Sequence, residues 1–447
     1  MRGRWILLMV AIGSLTVNGQ APPPSTLEVP YELFTLANGL TVILHRDASV
    51  PVATVNVWYH VGSANERPGR TGLAHLFEHL MFEGSSHVAE GDFDTLLEAA
   101  GGSSNGSTDN DRTNYMIDVP ANALELALFL ESDRMAYLLD TMTPERVNGQ
   151  RDVVKNERRQ SYENQPYGMA SIEIDRMLWP EGHPYSRPTI GSMEDLTAAS
   201  HDDIVAFFKT YYTPNNATLA IAGDIDLAKT RAMVEKWFAE VPRGPIVPPV
   251  APPAAVLTEV TRKTITDRVQ LPRLYLGWLT PRGYAPGDAA LDVASAILAS
   301  GKNSRLYNRL VYDTQIAQDV SAFQQGAALG GSFLVVATAR PGHTAAELQK
   351  AIDEEIDRLR REPPTAREMQ RVLNQIEASF FRSLERVGGF GGKANQLNAY
   401  YFAGAAPDFF AEDLARYTTL TPTDVQGAVQ RWLPRDRRVE LIVEPQK

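Results

Sequence analysis

Two histidines and a glutamate interrupt the apolar stretch L-A-H-L-F-E-H-L-M-F, Leu73 to Phe82. On a helix His75 and His79, four residues apart, stack on one face, and Glu78 lies beside them, about 60° around from His75. Leu76, Phe77, Leu80, Met81 and Phe82 cover the other sides, so burial is expected and the polar cluster needs partners. Two imidazoles that can point at one ion, with a carboxylate adjacent, meet that need as a catalytic zinc site. The plainer alternative is a polar stripe along a wet groove, or two core histidines bonded to backbone carbonyls. Hydrolysis at zinc needs a third protein ligand and a position left for water. Residue types alone leave Asp118, Glu131, Asp133, Glu157 and other acids open for that third place. His45, His60, His87, His183, His201 and His343 lack a second histidine at ligand spacing and read as structural or surface residues.

The elements that must hold such a cluster follow from composition and pattern. The chain has 447 residues, 44% of them apolar and 22% charged, which suits two or more globular domains with real cores. A formal net charge of -11 argues against nucleic acid and anionic membrane surfaces, since nothing would neutralise phosphates. The absence of cysteine excludes disulfides, cysteine zinc sites and a cysteine nucleophile. Arg2 and Arg4 precede a short apolar run from Trp5 to Ile12, the pattern of a secretory signal over residues 1–21. The mature protein is then expected to be exported, periplasmic or secreted, with no stable membrane span after cleavage.

The chain divides at P-R-G-P-I-V-P-P-V-A-P-P, Pro242 to Pro253, whose proline density favours an extended linker over residues 243–256. The portions on either side, 28–242 and 257–447, are of similar size. Each mixes strand runs, such as V-A-T-V-N-V-W-Y and S-F-L-V-V-A-T, with helical periodicity. The expected class is α+β, two α/β sandwich domains with a mixed sheet and helices on one face. An internal echo supports a duplication: L-E-L-A-L-F-L-E-S-D-R-M and a following Thr-started helix resemble L-Q-K-A-I-D-E-E-I-D-R-L and its own Thr-started follower. The H-L-F-E-H stretch has no counterpart in the second portion, so only the first half keeps that chemistry. The run G-G-F-G-G, Gly388 to Gly392, lacks the context of a phosphate loop and reads as a turn or hinge.

H-x-x-E-H reverses the commoner H-E-x-x-H and is the inverzincin signature. Together with A-N-G-L-T-V-I-L, V-G-S-A-N-E-R-P-G-R-T-G-L-A-H-L-F-E-H-L-M-F-E-G-S, G-G-S-S-N-G-S-T-D-N-D-R-T-N-Y and V-V-K-N-E-R-R-Q-S-Y-E-N-Q-P-Y-G, it makes the chain from about Tyr31 onward resemble the pitrilysin and insulin-degrading family of zinc peptidases. The resemblance is to the short-chain branch that includes relatives of mitochondrial processing peptidase. It implies one zinc per chain on His75, His79 and Glu157, with Glu78 moving the proton. It also implies substrate binding along S-S-N-G-S at Asn105, Gly106 and Ser107, where a short polar edge strand can pair with an extended peptide. The competing function is a non-catalytic or weakly active subunit of the same fold, marked in such families by loss of the motif or its distant glutamate. A zinc hydrolase of small amides would be separated by cleavage of short blocked substrates but not of peptides.

Two positions depart from the family pattern. Seven residues before Glu157 the family commonly has a glutamate, and this chain has Gln150. In the second half the family's arginine and tyrosine are matched by Val311 and Gln318 in L-V-Y-D-T-Q-I-A-Q-D-V, unless Arg305, Arg309 or Tyr312 substitutes. The expectation is a homologous partner subunit that supplies the missing pair, in a heterodimer.

Overall fold

The computed structural model describes residues 27–446, and the signal-like residues 1–21 lie outside them. Six strands form one sheet: β1 (Glu32–Thr35), β2 (Thr41–Arg46), β3 (Val52–Tyr59), β4 (Ser103–Thr108), β5 (Thr113–Pro120) and β6 (Ala217–Gly223), in the order β1-β2-β6-β3-β5-β4. Five more form a second: β7 (Thr261–Asp267), β8 (Arg273–Thr280), β9 (Ala317–Gly326), β10 (Gly331–Ala339) and β11 (Val439–Pro445), in the order β7-β11-β8-β10-β9. Residues 242–258 between them carry neither helix nor strand.

The duplication is visible in the pairing itself. β2 runs parallel to β6, and β6, β3, β5 and β4 then pair antiparallel in turn. β7, β11, β8, β10 and β9 repeat that sequence of one parallel and three antiparallel pairings. The echoed helices fall at equivalent places, Leu124–Tyr137 and Pro144–Arg158 after β5, Ala345–Arg361 and Ala366–Leu384 after β10. In both copies a threonine starts the second helix: Thr143 accepts from the Arg146 amide and Thr365 from the Glu368 amide.

Period-two alternation explains how β3 serves two layers. Val55, Val57 and Tyr59 join the core under the Leu73–Leu80 and Leu124–Tyr137 helices. Thr54, Asn56 and Trp58 point to the other face, yet they too are buried. The cover there comes from the second half: the Lys393–Phe402 helix packs on β6, β3 and β2, with Leu397 and Tyr400 against Ile43 and Ala220. The exchange is reciprocal, since the Met169–Leu178 helix of the first half packs on β11 and β8 through Ala170, Ile174 and Leu178.

Amides lock the first of these contacts. Asn398 donates to Asn56 at 2.7 Å, Asn56 to Asn114 at 2.8 Å, and Asn395 accepts from Asn114 at 2.8 Å and from Trp58 at 3.0 Å. The G-G-F-G-G run carries the chain into this helix. At Gly388 a Cβ would lie 1.9 Å from the Asp118 carboxylate, and the Gly389 amide donates to Asp118 at 3.2 Å. Gly388 is therefore required by a close approach to the first sheet, and Gly389 by its φ of 77°.

Candidate metal centre

The Leu73–Leu80 helix begins after Gly72, whose φ of 90° is left-handed. Its start is fixed by Glu66, which accepts from the Gly72 amide at 2.9 Å and the Ala74 amide at 2.8 Å. These bonds satisfy donors that a helix N-terminus leaves free, and the carboxyl oxygens face the positive end of the dipole. Burial pushes Glu66 up to about 8 against the pull of those amides. Sequence pattern gave Glu66 no role; the available signal was an acid set seven residues before an apolar helix. Leu73, Ala74, Leu76, Phe77 and Leu80 are buried, while His75, Glu78 and His79 form the partly open side.

The Pro144–Arg158 helix packs against this side and presents Glu157 near its C-terminus, just before a wide turn of π-helix, Arg159–Glu163. One Glu157 oxygen lies 3.2 Å from His79 Nε2 and 3.6 Å from His75 Nε2. Three ligands about 2.0–2.2 Å from one zinc at tetrahedral angles sit about 3.3 Å from each other, so these separations suit that ion. The three donor atoms lie within 4.8 Å of one another, and among the described residues no other histidine or acid group of three or more is so arranged. His75 Nδ1 is buried without a protein partner, so that ring is held by packing and by whatever its Nε2 meets. Burial lowers the His75 pKa, and the His79 hydrogen bond holds Glu157 below the usual carboxylate range. Neutral imidazole and ionised carboxylate are the forms that bind metal.

The other acids left open by the sequence are occupied elsewhere. Glu131 pairs with buried Arg134, Asp133 with His87 and Ser85, and Asp118 with Thr54 on the opposite face of the sheet. The second half has the Asp288–Ala299 helix where the first has Leu73–Leu80, and its run D-A-A-L-D-V-A-S-A-I-L-A contains no histidine.

β4 is the outer strand of its sheet, paired only with β5. It passes directly by the side of the helix that carries His75, Glu78 and His79: a Cβ on Gly106 would come 3.1 Å from Glu78 Cγ. Of the three residues proposed from sequence there, Asn105 turns its side-chain oxygen to the Gly106 amide at 2.8 Å, and the Ser107 carbonyl and hydroxyl accept from Arg112 at 2.8 and 2.6 Å.

Gln150 also has a physical setting that the sequence did not show. Its amide donates to Glu83 at 2.5 Å, and burial raises the Glu83 pKa, with Glu90 adding to the rise. A carboxylate at position 150 would face another carboxylate at hydrogen-bond distance, which an amide avoids. Gln150→Glu is therefore expected to cost about 1 kcal/mol of stability at pH 7.5. The loss should shrink at pH 5, where the already raised Glu83 takes up a proton; paired thermal melts at the two values check this.

Comparison with known proteins follows from this geometry. Residues 41–174 match the insulinase family, peptidase family M16, and residues 198–376 match the peptidase M16 inactive domain. Zinc protease PqqE of Helicobacter pylori is 31% identical over 389 residues, covering 85% of this chain and 84% of that protein. The chain belongs to peptidase family M16. Another relative is the probable mitochondrial-processing peptidase subunit beta of Arabidopsis thaliana, 26% identical over 364 residues, 78% of this chain and 67% of that protein. The crystal structure of a protease from Helicobacter pylori superposes with a TM-score of 0.88 at 27% identity, covering 94% of this chain and all of that one. Each half of this M16 chain thus has its place in a two-domain family fold, and the first half carries the His75, His79 and Glu157 cluster.

Proposed function

We propose that this M16 protein is a zinc metalloendopeptidase that holds one zinc per chain on His75, His79 and Glu157 and hydrolyses peptides or unfolded segments. The observation that carries the reading is the convergence of two imidazole nitrogens and a carboxylate oxygen within 4.8 Å, beside an open edge strand. Zinc in such a donor set acidifies water to a pKa of about 7 and polarises a carbonyl. Glu78, outside the donor set but on the same open side, removes the proton from the attacking water and delivers it to the leaving amine. Asn105, Gly106 and Ser107 align the substrate backbone along β4, and Gly106 lets that backbone approach Glu78. The catalytic unit spans 28–242, and 257–447 is its non-zinc homologue across the proline-rich segment. The signal-like N-terminus assigns the enzyme to the periplasm or the exterior.

Purified protein should contain one zinc per chain, lose activity to a strong chelator and regain it on zinc addition. His75→Ala is expected to weaken zinc binding at least ~100-fold. Stoichiometric zinc in that variant, measured by metal analysis after dialysis, would remove His75 from the site.

We further propose a homologous partner. Val311 and Gln318 supply neither charge nor phenol, and the two arginines that could substitute are committed. Arg305 is bound to Glu368 at 2.6 and 3.0 Å, Arg309 to Glu354 and Glu355, and Tyr312 is 72% exposed. The site is then completed by a second subunit bearing the arginine and tyrosine.

A further inference from the structure

Successive residues on a helix point about 100° apart, so the last turn of Pro144–Arg158 aims two neighbours in different directions. Glu157 faces the two histidines. Arg158 turns inward with Val147 and Val154, and its side chain is only 8% exposed. An arginine so buried needs partners. Its Nη1 donates to the Gly191 carbonyl at 2.7 Å, and its Nε pairs at 3.3 Å with Glu163, the last residue of the π-helical turn.

Gly191 is also where the approach to the histidine helix is met. A Cβ on Gly191 would lie 2.5 Å from Gly72 Cα, and one on Gly72 would lie 2.9 Å from the Ile190 carbonyl oxygen. Two left-handed glycines, with φ of 77° and 90°, let these backbones touch. The bonds around them hold the contact in register. The Ser192 amide donates to the Thr71 hydroxyl at 3.0 Å, the Thr71 hydroxyl and amide donate to Asp195 at 2.6 and 3.1 Å, and Arg187 donates to the Glu66 carbonyl at 3.0 Å. Arg151, about two turns before Arg158, donates to the Ala199 carbonyl at 2.6 Å. Residues 187–199 are thus a strap, bonded to the helix of Glu157 and to the residues that open the helix of His75 and His79.

The tie matters most at Glu157. An α-helix fixes its own end through bonds to the carbonyl four residues back, and here that ladder widens into Arg159–Glu163 directly after Arg158. The carboxylate therefore sits where its helix constrains itself least.

We propose that Arg158 is a positioning residue for the metal. By tying the end of the Glu157 helix to the Gly191 carbonyl, beside which the histidine helix begins, it holds the carboxylate in reach of both imidazoles. The inference rests on the zinc reading and adds a residue that touches neither metal nor substrate. Its effect falls on zinc affinity, because a third donor already held in place is not ordered at the expense of binding.

Zinc affinity is measured by competition with a chromogenic chelator, and the visible spectrum of the cobalt-loaded protein reports coordination geometry. Arg158→Met is expected to keep the parental circular dichroism, bind zinc about 10–100-fold more weakly and change the cobalt spectrum. Arg158→Lys, which keeps a charged donor for the Gly191 carbonyl, should recover most of the affinity. Arg159→Ala removes a cation from the adjacent position, where the exposed side chain bonds only to Asn156 at 2.7 Å, and should leave both readouts at parental values. If Arg158→Met does not fold, Arg158→Gln, shorter and neutral, is expected to give the same loss and is read in its place. Parental affinity and spectrum in the folded Arg158 variant overturn the inference; the zinc reading stands if His75→Ala still weakens binding. An equal loss in Arg159→Ala reduces the effect to charge and overturns it as well. A parent that binds no zinc removes both readings.

Discussion

Glu78→Gln should bind one zinc per chain, as the parent does, and cleave peptides about 10²–10⁴-fold more slowly. The expectation separates two jobs that the sequence places one residue apart. His75, His79 and Glu157 bring their donor atoms together, and Glu78 is not among them, so an amide at 78 leaves the donor set untouched. An amide of the same shape still fits beside Gly106 but cannot take a proton from water or return one to the amine. The loss should therefore fall on kcat, with substrate affinity largely kept. Metal analysis and single-turnover kinetics on the same preparation check both halves. Parental turnover in the variant would remove Glu78 from the mechanism, and loss of zinc would make it a structural part of the site instead.

The second large effect is expected from a missing subunit. Purified alone, the chain should cleave peptides slowly, and a homologue that carries the arginine and tyrosine should raise kcat/KM at least ~100-fold, the scale of one preorganised donor at a developing oxyanion. The physical ground is the state of the second half. Arg305 and Arg309 are tied to acids within their own domain, and freeing either would take the cation from Glu368 or from Glu354. Val311 has no donor to offer, and Gln318 carries no charge. Activity of the isolated chain can be compared with that of mixtures titrated with the homologue, alongside light scattering for mass. Full activity from the monomer, unchanged by any homologue, would refute the requirement.

Local spacing determined much of this protein. Four residues make one helical turn, so H-x-x-E-H alone put two imidazoles on one face with a carboxylate beside them. Thr143 and Thr365 announced their helices because a side-chain oxygen at the start satisfies free amides. The repeated helix pair signalled a duplication because each copy must bury the same stripe against its own sheet. What spacing could not supply was the choice of third ligand. Asp118, Glu131, Asp133 and Glu157 are alike as acids, and the family resemblance singled out Glu157. Only the packing of the Pro144–Arg158 helix on the Leu73–Leu80 helix brings one of these acids to the two histidines, while Arg134, His87 and Thr54 occupy the other three.

The tertiary structure alone decided the features joined across long stretches of chain. Asn56 and Asn398, 342 positions apart, meet because each half lends a helix to the far face of the other's sheet. An asparagine on a strand and another on a helix carry no mark of a shared partner, since hydrogen bonds between distant elements leave no period in either segment. The pairing of Gln150 with Glu83 has the same origin. Periodicity records which side of an element is buried. Which distant side chain it is buried against is fixed only when the sheets, helices and turns are packed together.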